Sequence, residues 1–112
     1  MRDLLEDFAW GAATAAFQIE GASKEDGRGS SIWDDLCDLP NRIIDKGTGE
    51  VAVDFYHRHS EDISIMKDLG IKNFRMSFSW PRLLPDGTTK HVNQKGVDFY
   101  NKVLDELLAA GI

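Results

Sequence analysis

The sequence predicts an α/β protein in which each of two β-strands precedes an α-helix. Two short segments, 8–14 and 74–79, have the length and apolar pattern of strands. Each is followed further along the chain by a segment whose apolar residues are three or four apart. Strands and helices that alternate in this way are typical of parallel βαβ construction. The predicted order is therefore strand, long loop, helix, strand, loop, helix.

The first strand is predicted over residues 8–14, where large and small side chains alternate. Because strand side chains point to alternate faces, the small set should face a crowded interior and the large set a layer of helices. The apolar run ends in Gln18, Glu20 and Gly21, before any helix is expected to form. This is the pattern of a buried strand that delivers polar side chains to a site at its carboxyl end.

The segment after the first strand, residues 21–50, is rich in Gly, Asp, Ser and Pro, with a short helix predicted at 31–36. Loops of this length are uncommon inside compact domains and are usually functional or disordered. A longer helix is then predicted from about residue 53, and Gly70 is expected to end it. Its apolar stripe comprises Tyr56, His59, Ile63, Met66 and Leu69.

The second strand, 74–79, is the clearer one, because apolar residues at even positions alternate with polar residues at odd positions. Pro81, Pro85 and the Asp86-Gly87 pair mark a turn-rich loop after it. Asn93 is expected to cap a second helix, which Gly111 would end. The predicted buried stripe of that helix comprises Val97, Tyr100, Leu104, Leu107 and Leu108.

The composition is that of a soluble domain with an acidic balance. The 13 basic and 19 acidic side chains give a net charge of −6, which offers no electrostatic surface to nucleic acid or an anionic membrane. No apolar stretch approaches the length of a transmembrane helix, and the first seven residues carry acids where a signal peptide needs an apolar core. The single cysteine, Cys37, cannot form an internal disulfide. We therefore expect a cytoplasmic protein with neither nucleic-acid nor membrane partners.

Arg75 is the strongest candidate for a functional residue. It lies in mid-strand and shares its face with Ser77 and Ser79, whereas a parallel strand buried on both faces should be almost continuously apolar. A buried guanidinium needs a partner. Arginine can hold a carboxylate through paired hydrogen bonds, lower its pKa and keep it ionised as a nucleophile. From the residues alone, a purely structural ion pair is an equally good interpretation.

Gln18 is the second candidate. A buried amide offers a donor and an acceptor, which suits adjacent sugar hydroxyls. From the residues alone, an amide that satisfies loop backbone is the favoured interpretation. We expect Glu20, two residues further on, to be a structural hydrogen-bonding or ion-pair group without a catalytic role.

Other conspicuous side chains are interpreted as structural. Core positions are favoured over sugar stacking for Trp10, Trp33 and Trp80. His57 and His59 are two residues apart on the predicted helix and point to nearly opposite sides, so we expect no metal site there. The glycines of the loops do not match the phosphate-binding spacing G-x-x-x-x-G-K-[ST].

Two segments carry a resemblance to a known family. Residues 8–22 read FAWGAATAAFQIEGA and residues 74–82 read FRMSFSWPR. Both closely resemble the amino-terminal part of family 1 glycoside hydrolases, the β-glucosidase type, and the resemblance extends from about Phe8 to the last residue. It implies a (β/α)8 barrel with its site on the loops after the strands. It also implies a retaining β-glycosidase that needs no cofactor, in which one glutamate donates a proton and another attacks the anomeric carbon.

The resemblance implies roles for both candidates. The family's matching arginine contacts the nucleophilic glutamate, which would be the role of Arg75. The matching glutamine binds hydroxyls of the sugar in the innermost subsite, which would be the role of Gln18. The segments around Trp33 and Trp80 also match the family, where they pack around the site.

The family's two catalytic glutamates lie in Thr-x-Asn-Glu-Pro and Thr-Glu-Asn-Gly segments, and neither segment occurs here. A barrel of this type needs about 250 residues. We therefore expect residues 1–112 to be the amino-terminal fragment of a single (β/α)8 glycosidase domain, with two of eight βα units, inactive alone and acting on a β-glucoside or related sugar in the full-length context. The alternative is a free-standing partial barrel that binds sugar or self-associates through open strand edges.

Overall fold

The computed structural model describes residues 8–112, and within them the chain forms two strands and five helices. Residues 1–7, in which the sequence lacks the apolar core of a signal peptide, lie outside the described residues. In chain order the elements are β1 (Gly11–Ala13), α1 (Ala16–Ile19), α2 (Ile32–Asp38), α3 (Phe55–Asp68), β2 (Asn73–Arg75), α4 (Trp80–Leu83) and α5 (Gln94–Ala110).

The two strands pair in parallel, as the alternation of strands and helices predicts. Gly11 lies opposite Asn73, and Ala13 lies opposite Arg75. Both strands are shorter than the predicted segments 8–14 and 74–79, because a hydrogen-bonded ladder exists only where two strands lie side by side. Within residues 8–112 each strand has one neighbour, so the outer edges of β1 and β2 are unpaired there.

The structure contains two short helices, α1 and α4, that the sequence analysis did not predict. The expectation that Gln18 and Glu20 precede any helix was wrong, because α1 begins at Ala16. Its first amide is held by the Ser77 hydroxyl, with 2.8 Å between Ala16 N and Ser77 Oγ. The segment with Pro81, read as loop, begins with helix α4, in which proline occupies the first turn and needs no backbone donor.

The two long helices form where the apolar spacing predicts them. Helix α3 ends at Asp68, and the following Gly70 has φ +73°, a left-handed conformation that glycine adopts without steric cost. Helix α5 ends at Ala110, and Gly111 has φ +78°. Asn93 precedes α5, but its side chain makes no capping hydrogen bond.

The core lies between α3 and α5 and against one face of the sheet. Its buried members are Phe55, Ile63, Phe99, Tyr100, Val103 and Leu107. Phe74 and Met76 of the second strand segment pack against this cluster, whereas Arg75 and Ser77 are exposed. The period-two pattern is therefore confirmed for residues 74–77 and fails at the end of the predicted segment, where Phe78 is 47% exposed and Ser79 is buried.

The buried stripe of α5 differs in part from the predicted one. Tyr100 and Leu107 are buried, but Leu104 is partly exposed and Leu108 is 73% exposed. The helix turns Val103 rather than Leu104 toward α3. Leu104 and Leu108 are one turn apart and share a different face of α5, where they lack the cover that the other stripe receives from α3.

The interpretation of the three tryptophans as core residues is wrong for the described chain. Trp10, Trp33 and Trp80 are 63%, 53% and 58% exposed. Trp33 lies on α2, which buries none of its residues. The small residues of β1 are also exposed rather than crowded, because no further element covers that face within residues 8–112. None of the helices described there is both long and apolar enough to cross a membrane.

Candidate functional site

Gln18 and Arg75 lie at the same end of the sheet. Arg75 is the last residue of β2 and is paired with Ala13, the last residue of β1. Gln18 follows β1 on helix α1. Because the strands are parallel, their carboxyl ends meet at one edge, which is where ligand sites form in α/β folds.

The burial of these two side chains differs from the expectation. Both Gln18 and Arg75 are exposed rather than buried. Among residues 8–112, no carboxylate pairs with Arg75 and no group accepts or donates a hydrogen bond to the Gln18 side chain. Neither structural alternative, an internal ion pair or an amide that satisfies loop backbone, is realised within the described residues. Both polar groups therefore project from a face that other molecules can reach.

The segments that follow the two strands are joined by hydrogen bonds. The Thr14 amide donates to Arg75 O at 2.9 Å, which continues the ladder beyond β1. The Ser77 hydroxyl accepts from the Ala16 amide at 2.8 Å. These contacts fix the start of α1, and hence the helix that carries Gln18, against the strand that carries Arg75.

A buried polar network lies directly behind this edge. Glu20 is 3% exposed and Arg82 is 0% exposed, with 3.0 Å between Glu20 Oε2 and Arg82 Nε. The Tyr100 hydroxyl donates to the other oxygen of the Glu20 carboxylate. In turn it accepts from the Ser79 amide at 2.6 Å. Glu20 is therefore the structural ion-pair group that the sequence analysis expected, and its carboxylate is committed to these partners.

Arg82 also organises the loop after α1. Its Nη2 donates to the carbonyl oxygens of Gly21 and Ala22, at 3.1 and 3.4 Å. Both of those residues have left-handed backbone, with φ +66° and +47°. A Cβ on Gly21 would lie 2.1 Å from Val51 O, so only glycine fits there. The guanidinium carbon lies 4.2 Å from the centre of the Tyr56 ring, a distance typical of a cation–π contact.

Arg82 is the residue that the sequence analysis missed. It closes the motif segment 74–82, but no role was assigned to it. The sequence does contain one signal for the pair. Glu20 follows β1 and Arg82 follows β2 at a similar distance, and the carboxyl ends of parallel strands place such residues close together.

Burial raises the pKa of the two tyrosine hydroxyls of this region. The pKa of Tyr100 is raised by burial and then by the negative charge of Glu20. Burial, and then the hydrogen bond to Asp26, raises the pKa of Tyr56 to about 12. The pKa of Asp26 is lowered chiefly by its hydrogen bond with Lys95, at 2.8 Å. Both hydroxyls therefore remain protonated to a higher pH than an exposed tyrosine does.

The two histidines of α3 face different surroundings. His57 bridges two carboxylates, with Nδ1 2.6 Å from Asp54 Oδ1 and Nε2 2.9 Å from Glu25 Oε2. These hydrogen bonds, the one to Asp54 first, raise its pKa. His59 is buried, and its Nδ1 is 3.1 Å from Tyr56 O. Across residues 8–112, no three metal-ligating side chains come together.

At this end of the sheet the exposed side chains of Gln18 and Arg75 are able to form hydrogen bonds, whereas the Glu20 carboxylate is already bonded within the protein. An exposed amide and an exposed guanidinium can hydrogen-bond hydroxyls and carboxylates at the open edge. The nearby Glu20 carboxylate is buried and bonded to Arg82 and Tyr100. It is therefore unavailable as a nucleophile or a proton donor to a ligand at that edge.

This chain is similar to β-glucosidases over almost all of its length. β-Glucosidase A of Acetivibrio thermocellus is 58% identical over 107 residues, which are 96% of this chain and 24% of the relative. β-Glucosidase A of Thermotoga maritima is 52% identical over 107 residues, again 96% of this chain and 24% of the relative. The solved structure of a T. maritima β-glucosidase in complex with glucoimidazole superposes with a TM-score of 0.91 at 52% identity, covering 96% of this chain and 24% of that one.

This chain spans about a quarter of the length of these relatives. The solved neighbours are TIM barrels, and the two-stranded sheet with its helices matches that share of their fold. The profile of glycosyl hydrolase family 1 matches residues 1–112, the entire sequence. The chain therefore belongs to glycosyl hydrolase family 1.

Proposed function

We propose that this chain forms the sugar-binding amino-terminal part of a retaining β-glycosidase of the β-glucosidase type. In that context it acts in carbohydrate metabolism and takes part in the hydrolysis of O-glycosidic bonds in β-glucosides or related sugars. The observation that carries the proposal is that Gln18 and Arg75 both lie at the carboxyl ends of two paired parallel strands. In a family of barrel enzymes, that edge is where substrate binds.

Gln18 would bind sugar hydroxyls, and Arg75 would hold the nucleophilic carboxylate. An amide is suited to a pair of adjacent hydroxyls because it donates through nitrogen and accepts through oxygen. A retaining glycosidase needs one carboxylate ionised and one carboxylic acid protonated. A guanidinium beside the first lowers its pKa and keeps it charged. The exposure of both side chains leaves them accessible to such partners.

The chemistry itself would need groups from outside these 112 residues. Retaining hydrolysis requires two carboxyl groups about 5 to 5.5 Å apart, and the sequence has neither of the family's glutamate segments. We therefore propose that the chain alone has no hydrolytic activity and functions only within a complete barrel. No cofactor is required, because both steps are carried out by carboxyl groups and water.

We expect the purified 112-residue chain to give no turnover of 4-nitrophenyl β-D-glucoside. A chimeric barrel should be active, in which this chain replaces the matched residues of A. thermocellus β-glucosidase A, a 58% identical relative. Release of 4-nitrophenol from both proteins, measured by absorbance, provides the comparison. Gln18→Ala in the chimeric barrel should lower kcat/KM about tenfold or more, because a polar contact to the sugar is lost.

An inactive chimeric barrel that is nevertheless folded by circular dichroism would contradict the proposed function. Turnover by the isolated chain, if changing Arg75 abolishes it, would contradict the proposal that the chain needs further residues.

A second candidate function is a free-standing partial barrel that assembles with copies of itself. The specific observation is the pair of unpaired strand edges within residues 8–112, flanked by the exposed aromatic side chains of Phe8 and Trp10. Exposed edges and contiguous apolar surface promote association with other chains. In this alternative, a sugar binds at the carboxyl ends of the strands, beside Gln18 and Arg75, without being hydrolysed.

For self-assembly we expect the isolated chain to sediment above its monomer mass of 12.6 kDa, increasingly so as its concentration rises. Trp10→Lys should shift the distribution toward monomer, because it places a charge on exposed apolar surface beside β1. Sedimentation velocity over a concentration series measures both. A concentration-independent monomer with a cooperative thermal transition would rule out self-assembly.

A further inference from the structure

We propose that Glu20 is a positioning residue for Gln18. The Tyr100 hydroxyl and Arg82 hold Glu20 in place and so affect sugar binding only indirectly, through Gln18. The inference rests on the proposed function and concerns the same edge of the sheet. Glu20 does not touch the ligand in this proposal, because its carboxylate is buried behind that edge. It acts by fixing the backbone from which the Gln18 side chain projects.

Helix α1 needs such support because it spans only Ala16–Ile19. A single helical turn is not stable in isolation, since nucleation costs more than one hydrogen bond returns. Its amino-terminal end is held by the Ser77 hydroxyl on the Ala16 amide. Its carboxyl-terminal end is held at Glu20, whose amide donates to Ala16 O at 2.9 Å and closes the turn.

Glu20 ties α1 to three other helices at once. Its carbonyl oxygen accepts from the Tyr56 amide of α3 at 3.0 Å. Its carboxylate receives Arg82 Nε of α4 at 3.0 Å and the Tyr100 hydroxyl of α5. Since the Tyr100 oxygen also accepts from the Ser79 amide, one hydroxyl links the segment after β1 to the segment after β2.

The side chain of Gln18 has no comparable support of its own. The side chain is exposed and makes no hydrogen bond across residues 8–112. Only the backbone amide of Gln18 is bonded, and it donates to Ala15 O at 3.0 Å. Within residues 8–112, the backbone of α1 therefore fixes only the point from which the Gln18 side chain projects. A displacement of about 1 Å at a substrate-positioning group is enough to lower the rate by up to about a hundredfold.

Tyr100→Phe is the most selective change in this network. It keeps the ring, which packs against Phe78 and Phe99 with centroid distances of 4.7 and 4.9 Å. It removes only the hydroxyl between Glu20 and Ser79. Tyr56→Phe is the control, because it removes a tyrosine hydroxyl that is part-buried and bonded to Asp26 instead of Glu20. Its ring remains on the Arg82 guanidinium.

The first test is a double-mutant cycle in the chimeric barrel with 4-nitrophenyl β-D-glucoside as substrate. We expect Tyr100→Phe to lower kcat/KM about tenfold in the parent and to have almost no effect in the Gln18→Ala background, because it acts through Gln18. Tyr56→Phe should leave kcat/KM within about twofold in both backgrounds. Equal losses from Tyr100→Phe in both backgrounds would overturn the inference, since they would mark a purely structural role.

The second test needs no activity and uses the 112-residue chain. Amide hydrogen exchange should be at least about tenfold faster at Gln18 in Tyr100→Phe than in Tyr56→Phe, with the amides of α5 and those of α3 beyond Tyr56 unchanged between the two. Faster exchange confined to α1 would support the inference even if the chimeric barrel were inactive, a result that contradicts only the proposed function. Exchange that rises equally throughout the chain, or that does not rise at Gln18, would overturn it.

Discussion

Arg82→Ala is expected to lower the melting temperature of this chain by about 12 °C or more. The substitution leaves the Glu20 carboxylate buried with the Tyr100 hydroxyl and without its charged partner, and it removes the donor from the carbonyls of Gly21 and Ala22. Breaking a buried ion pair on one side costs about 3–5 kcal/mol in free energy of unfolding. Domains of this size are stable by about 5–15 kcal/mol in total, so the loss ranges from about a fifth of the free energy of unfolding to all of it.

The control for this prediction is a second arginine–glutamate pair on the surface. Arg58 lies 2.9 Å from Glu61 on α3, and both side chains are more than half exposed. Arg58→Ala should change the free energy of unfolding by no more than about 0.5 kcal/mol, because solvent screens the pair. Circular dichroism melting curves of the two variants make the comparison. Similar melting temperatures for Arg82→Ala and the parent would show that the buried pair does not hold the fold together.

Much of the fold could be predicted because local patterns determine it. The period-two alternation of residues 74–79 placed Phe74 and Met76 toward the helices and Arg75 away from them, as the structure has it. The three-to-four spacing and the terminal glycines located α3 and α5 within one or two residues. These features depend on residues that are close together in the sequence, so the sequence pattern indicates them directly.

The elements that escaped prediction depend on contacts between distant residues. Helix α1 is capped by Ser77, 61 positions away, and no pattern within residues 16–19 indicates a helix. Arg82 acquires its partner Glu20 from 62 positions away. Only the topology, with parallel strands whose carboxyl ends meet, brings these groups together.

The two candidate residues lie at the end of the sheet where the sequence analysis predicted them, but their burial differs from the prediction. Gln18 and Arg75 lie at the predicted carboxyl edge, yet both are exposed, as are the three tryptophans that were interpreted as core. The burial expectation assumed strands covered on both faces, as in a complete parallel sheet. Within residues 8–112 only one face of two strands is covered, so side chains on the other face have nothing against which to pack.

The second large effect concerns Arg75 in the chimeric barrel. Arg75→Met keeps the length of the side chain and removes its charge. If Arg75 holds the nucleophilic carboxylate ionised, its loss should raise the pKa of that carboxyl group by about 1–3 units. The carboxylate is then ionised only at higher pH. The acidic limb of the kcat/KM profile should therefore move upward by the same amount, and activity on that limb should fall about tenfold for each unit.

Arg42→Met is the matched control for the Arg75 experiment. Arg42 is an exposed arginine between α2 and α3 and makes no ion pair among the described residues. Its loss changes the net charge by the same amount as the loss of Arg75 but should leave the pH profile in place, because a screened surface charge has little effect on a distant carboxyl group. A general electrostatic effect would shift both profiles alike. A shift confined to Arg75→Met would identify the charge at the carboxyl edge as the one that keeps the nucleophile ionised, whereas unshifted profiles in both variants would remove Arg75 from the site.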